Sequence, residues 1–90
     1  MRLGVPFCIR IKRRAAKELQ SVRKETRVPL AEAVDALREN PLAGSPLKGG
    51  LRGLRRLRVG DYRILYEVLD GELVILVVRV SHRREAYRSG

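Results

Sequence analysis

Ninety residues carry 20 Lys and Arg against 10 Asp and Glu, a formal charge of +10, which suits a polyanionic partner. A chain this short holds one domain, residues 1–90, and its ordinary apolar fraction argues against disorder. No stretch approaches the roughly 20 apolar residues of a membrane-spanning helix. The start, Met1-Arg2-Leu3-Gly4-Val5-Pro6, lacks the apolar run and cleavage site of a secretory signal. Cys8, the one cysteine, rules out an internal disulfide and a cysteine zinc site and fits a reducing cytoplasm. Its place in an early apolar run predicts inert packing rather than a nucleophile.

Phe7, Ile9 and Ile11 alternate with Cys8, Arg10 and Lys12, the pattern of a strand after Pro6. From Arg13 the period becomes helical: Ala15, Ala16, Leu19 and Val22 form an apolar stripe. Val28 precedes a proline and is biased away from helix, while Pro29 suits a first helical position. A second helix is therefore expected from Pro29 to about Asn40, with Leu30, Ala33, Val34 and Leu37 on its inner face. Gly44, Pro46, Gly49, Gly50 and Gly53 predict a flexible loop. Leu54–Val59, Tyr62–Leu69 and Leu73–Val80 read as three strands, joined by tight turns at Gly60-Asp61 and Asp70-Gly71, the latter of type I′. The order β-α-α-β-β-β gives an α+β domain: two N-terminal helices on a small, mainly antiparallel, four-stranded sheet.

Two-residue turns fix a register. Val59 then faces Tyr62, Arg58 faces Arg63, Leu57 faces Ile64 and Arg56 faces Leu65, while Tyr66 faces Ile75 and Ile64 faces Val77. One face, carrying Leu57, Val59, Tyr62, Ile64, Tyr66, Val68, Leu73, Ile75 and Val77, belongs under the helices. The other carries Arg56, Arg58 and Arg63 beside Leu65, Leu76 and Val78. Like charges directly opposite each other are destabilising, so a phosphate site explains them better than a solvated surface that happens to be basic. Lys48 and Arg52 extend the basic segment, in which Asp61 is the only acid between Asn40 and Tyr66. Beyond the last strand, Ser81-His82-Arg83-Arg84-Glu85-Ala86-Tyr87-Arg88 should emerge near these arginines. Tyr87 is placed to stack on an unpaired base and His82 or Arg83 to meet phosphate, or else the tail is a frayed terminus with Tyr87 tucked onto the core.

The sequence shows neither paired histidines, nor a phosphate-cradling glycine loop, nor an acidic cluster suited to magnesium. RNA still allows a metal-free route, because its 2′-OH can attack the adjacent phosphate. Arginines would stabilise the developing phosphorane and His82 or Tyr87 would transfer protons.

The run Leu54-Arg55-Arg56-Leu57-Arg58-Val59-Gly60-Asp61-Tyr62-Arg63-Ile64-Leu65-Tyr66 resembles the "LYRLRVGDYRVIY" core of the RelE/ParE toxin superfamily. Arg79-Val80-Ser81-His82-Arg83-Arg84-Glu85-Ala86-Tyr87-Arg88 is similar to its "RVGHRREVYR" ending. Ala15-Ala16-Lys17-Glu18-Leu19 resembles the family's first helix, and Pro46-Leu47-Lys48-Gly49 its "KLKG" loop. The resemblance implies the same α+β fold and, for RelE-type members, a cytoplasmic mRNA interferase. Such enzymes cleave mRNA in the ribosomal A site without metal or cofactor and are neutralised by a cognate acidic antitoxin of RelB type. It implies that Arg56 and Arg63 contact phosphate and stabilise the transition state, that Arg83 helps the leaving group, and that Tyr87 lies near the cleaved nucleotide. Parity adds Arg58 as a phosphate contact. The chain departs from some RelE enzymes at Leu54, where they keep a lysine as proton acceptor, so His82 substitutes or the nuclease is weaker. ParE-like relatives share the scaffold but inhibit DNA gyrase, and an inactive basic interaction module is a third expectation.

Overall fold

The computed structural model describes residues 7–51 and 53–82. Strand β1 (Cys8–Ile11) leads into α1 (Arg13–Gln20) and α2 (Lys24–Ala36). Then follow β2 (Ser45–Pro46), β3 (Arg55–Val59), β4 (Tyr62–Leu69) and β5 (Val74–His82). The five strands form one sheet in the order β1-β5-β4-β3-β2. All neighbours are antiparallel except β1, which runs parallel to β5. The class is the expected α+β, with one strand more than the sequence pattern showed. Among the described residues, no helix is long and apolar enough to cross a membrane.

The extra strand comes from the glycine-containing loop. Tyr66 is fully buried, and its hydroxyl donates to the Pro41 carbonyl (2.7 Å) while accepting from the Gly44 N–H (2.8 Å). Arg55 Nε donates to the Gly44 carbonyl at 2.9 Å. Residues 41–44 are thereby drawn against β3 and β4, and Ser45 and Pro46 pair with Arg56 and Arg55. A segment expected to be flexible is thus hydrogen-bonded in place. Gly44 is required here by space rather than by dihedral angle. A Cβ would lie 2.7 Å from the Arg56 carbonyl oxygen and 2.9 Å from the Tyr66 hydroxyl.

The helical hairpin breaks earlier than expected. α1 ends at Gln20, where the Ser21 hydroxyl bonds the Glu18 carbonyl at 2.8 Å, and α2 starts at Lys24 with Pro29 inside it. A proline at an interior position costs a helix about 3 kcal/mol. Burial of Leu30, Val34 and Leu37 against the sheet offsets it, at about 1.5–3 kcal/mol for each large apolar side chain removed from water. Pro29 and its neighbour Val28 both face solvent. Packing therefore overrides the local preference.

The helices cover one sheet face. Ile64, Tyr66, Ile75, Val77 and Val80 are buried there with Leu30 and Leu37, and Leu57, Val59, Tyr62 and Val68 pack at the margin. In the first strand Phe7 and Ile9 point inward as expected, but Ile11 is exposed at the end of the strand and Cys8 is exposed instead of packed.

The β4–β5 turn differs most from the two-residue expectation. Leu69 pairs with Val74, so four residues make the turn: a 3-10 turn at Asp70–Glu72 followed by Leu73 in the left-handed region (φ 56°). Leu73, expected in the core, is exposed. Tyr66 consequently faces Val77 rather than Ile75. A second irregularity follows between Leu65 and Tyr66, where Leu65 pairs with Arg79 and Val78 becomes the extra residue of a β-bulge. Ile64 thus faces Val80 rather than Val77.

Tyr66→Phe should lower stability by about 1–3 kcal/mol, because two buried backbone groups lose their partner. Gly44→Ala should also lower the thermal midpoint. Melting curves of both variants measure this, and a midpoint unchanged in both would show that the loop is not held this way.

Candidate nucleic-acid interface

The β3–β4 register places the basic residues. Arg58 pairs with Arg63, Arg56 with Leu65, Leu57 with Ile64 and Val59 with Tyr62, as alternation about a two-residue turn requires. Gly60 takes the positive φ of that turn (60°) and Asp61 does not, the pattern of a type II′ hairpin. With Leu57, Ile64 and Tyr66 under the helices, Arg56, Arg58, Arg63 and Leu65 lie on the opposite face. Leu65 is only 6% exposed although it stands outside the helix-side core, flanked in register by Arg56 and Arg79.

Arg58, Gly60, Tyr62 and Arg63 line a recess of about 70 Å³. It is too small to enclose a nucleotide, which would lie across the open surface rather than inside it. Arg58 is exposed, whereas Arg63 is half-buried with its Nε fully covered.

The structure does not bring every candidate together. His82 pairs with Tyr62 and meets it edge-on, ring centroids 5.3 Å apart at 83°. Tyr62 belongs to the helix-side core margin, so His82 lies on the opposite sheet face from Arg56, Arg58 and Arg63. There it lines a recess of about 330 Å³ with Glu18, Ser21 and Val22. Lys48 is exposed in the loop after β2, at the sheet edge with β3 between it and Arg63. Arg52, Arg83 and Tyr87 lie outside the described residues. Within the described residues, Ser81 of β5 is the partner of Arg63.

Sequence reasoning missed two residues. β1 pairs with β5 only as far as Val77, and there the chain turns into α1. Beyond that point, Glu18 of α1 occupies the open edge of β5: its carboxylate accepts from the Val80 N–H at 2.7 Å and from Arg79 Nε at 2.8 Å. Arg14 stands 3.6 Å away on the same helix. The available signal was the spacing of Val77 and Val80. Both are fully buried, three residues apart, which strict alternation forbids. Among the described residues, no group of three or more His, Cys, Asp or Glu could hold a metal ion.

This architecture is shared with solved toxins. The toxin of the RelBE2 toxin–antitoxin complex from Mycobacterium tuberculosis superposes with a TM-score of 0.82 at 31% identity, over 88% of this chain and all of that one. The archaeal RelE–RelB complex from Pyrococcus horikoshii gives 0.73 at 28%, over 91% of this chain and all of the matched one. Fold and basic face together define a RelE/ParE-type toxin scaffold. The sequence agrees: the family model for the ParE toxin of the type II toxin–antitoxin system parDE matches residues 9–87. "Toxin RelE" of M. tuberculosis is 33% identical over 85 residues, 92% of this chain and 88% of that protein. The chain belongs to the RelE/ParE toxin superfamily.

Arg58→Ala removes a cross-strand like-charge contact and should leave stability unchanged or raise it by up to about 1 kcal/mol. Chemical denaturation measures this, and a clear loss would make Arg58 a structural residue.

Proposed function

We propose that this toxin is a ribosome-dependent, metal-independent mRNA endonuclease. The observation that carries the reading is the β3–β4 register. It sets Arg58 directly opposite Arg63, with Arg56 adjacent, on the sheet face opposite the two described helices. Folding alone disfavours that pairing; an RNA phosphate between the guanidinium groups favours it.

In the reaction, the 2′-OH of one nucleotide attacks the adjacent phosphorus and the 5′-oxygen leaves, giving a cyclic phosphate and a free 5′-hydroxyl. Arg56 and Arg63 neutralise the charge that builds on the non-bridging oxygens, and Arg58 holds the incoming backbone. Arg83 protonates or steadies the leaving oxygen and Tyr87 stacks on a base at the cut. Lys48 and Arg52 contact RNA farther along the strand. His82, across the sheet and against Tyr62, is poorly placed to accept the 2′-OH proton, and Leu54 stands where some relatives keep a lysine. Both features point to a slow chemical step that relies on the ribosome to align the RNA. The ribosomal A site makes the cytoplasm the place of action. A cognate acidic antitoxin of RelB type is the partner, in keeping with the relatives solved as toxin–antitoxin complexes and with the +10 charge.

One finding favours a second reading. The matching family model is that of the ParE toxin, and ParE-like relatives share this scaffold while acting on DNA gyrase. Loss of supercoiling with uncut mRNA on induction would establish that reading; growth without arrest would mark an inactive basic module.

The test of the first reading is incubation with translating ribosomes and mapping of mRNA 5′ ends. Arg56→Ala and Arg63→Ala should each slow cleavage about 10²–10³-fold, the usual worth of a preorganised donor to a developing oxyanion. Cleavage indifferent to the double substitution would overturn it.

A further inference from the structure

The bulge in β5 decides which side chains meet the arginines. Were β5 to continue from the Tyr66–Val77 pair without interruption, Arg79 would face Ile64 in the core and Val80 would lie beside Arg63. The extra residue reverses this. Val80 enters the core opposite Ile64, Ser81 lies opposite Arg63, and His82 turns to the helix side against Tyr62.

A bulge placed in a strand is set by what holds its edges. On the β4 side, ordinary pairing resumes at Leu65–Arg79. On the outer side β1 has ended, and the group that takes its place is the Glu18 carboxylate, with one oxygen on the Val80 N–H and the other on Arg79 Nε. Both bonds fall on the residues immediately after the extra one. Glu18 thus captures an edge donor that strand pairing leaves open, and it draws the Arg79 side chain towards α1.

We propose that Glu18 is a positioning residue for the arginine face. By gripping Arg79 and Val80 it locks the β5 bulge, and the locked bulge sets buried Ser81, rather than Val80, beneath Arg63 and turns His82 away from the arginine face. Glu18 touches no substrate; it acts through the register of β5. The catalytic part of this proposal rests on the mRNA-cleavage reading, whereas the register part does not.

The test uses the full chain with Glu18→Ala and Glu18→Gln. Three readouts are taken: the nuclear Overhauser contact between the Tyr62 and His82 rings, hydrogen-exchange protection of the Val80 amide, and kcat and KM for cleavage on programmed ribosomes. Glu18→Ala should lose the ring contact and the amide protection while the core stays folded, and kcat should fall at least tenfold with KM within threefold. Glu18→Gln, which keeps an oxygen acceptor for the Val80 N–H, should restore the ring contact and most of kcat. A merely structural role would lower stability without this split between kcat and KM. Should Glu18→Ala not fold, Glu18→Asp, whose carboxylate falls one methylene short, is judged by the same criteria. Wild-type ring contact and amide protection in the Ala variant would overturn the proposal, and so would their loss with unchanged kcat. A wild-type protein that cuts no mRNA would sink the nuclease reading. Even then, the ring contact would still decide whether Glu18 sets the register.

Discussion

Strand alternation is the constraint on which the rest of this structure depends, and a single residue in β5 resets it. Before Val78, the alternation of β5 sends Ile75 and Val77 to the core; after it, Val80 takes the inward place. Because side chains alternate with a period of two, one inserted residue exchanges the faces of everything downstream. The apolar core and the basic surface are therefore not independent. The step that lets Val80 complete the core also puts Ser81 opposite Arg63 and removes His82 from the arginine face.

Two polar clamps hold the sheet where pairing alone would not. At one side, the Tyr66 hydroxyl and Arg55 fasten Pro41 and Gly44, which allows a two-residue strand to finish the β3 edge. At the other, Glu18 caps the β5 edge after β1 has ended. Both solve the same problem, since backbone donors and acceptors at a strand edge need partners when they are covered. Both partners come from side chains that a pattern of apolar periodicity does not mark.

The arginine face follows a different logic. The β3–β4 register sets Arg58 opposite Arg63 on the sheet face away from the described helices, where like charges repel. The scaffold itself is common to toxins that act on different targets. Which target such a toxin takes therefore depends on the side chains that occupy that face. Parity reaches Arg56, Arg58 and Arg63 from the sequence because the Gly60-Asp61 turn is short and its register is simple. It fails for His82 because the β5 bulge intervenes, and its one trace is the break in alternation between Val77 and Val80.

By itself, the sequence determined the α+β class, the β3–β4 hairpin with its arginine pair, the inward face of β4, and the family. These are local matters, settled by alternation, turn chemistry and motif. Only the tertiary structure decided the position of the helix break, the fifth strand, the four-residue turn at Asp70–Leu73 and the β5 bulge. In each of these, long-range contacts outweigh a local preference: burial of Leu30 and Val34 keeps Pro29 inside a helix, the Tyr66 hydroxyl makes a strand of a loop, and the Glu18 carboxylate meets the edge of β5 more than sixty residues along the chain.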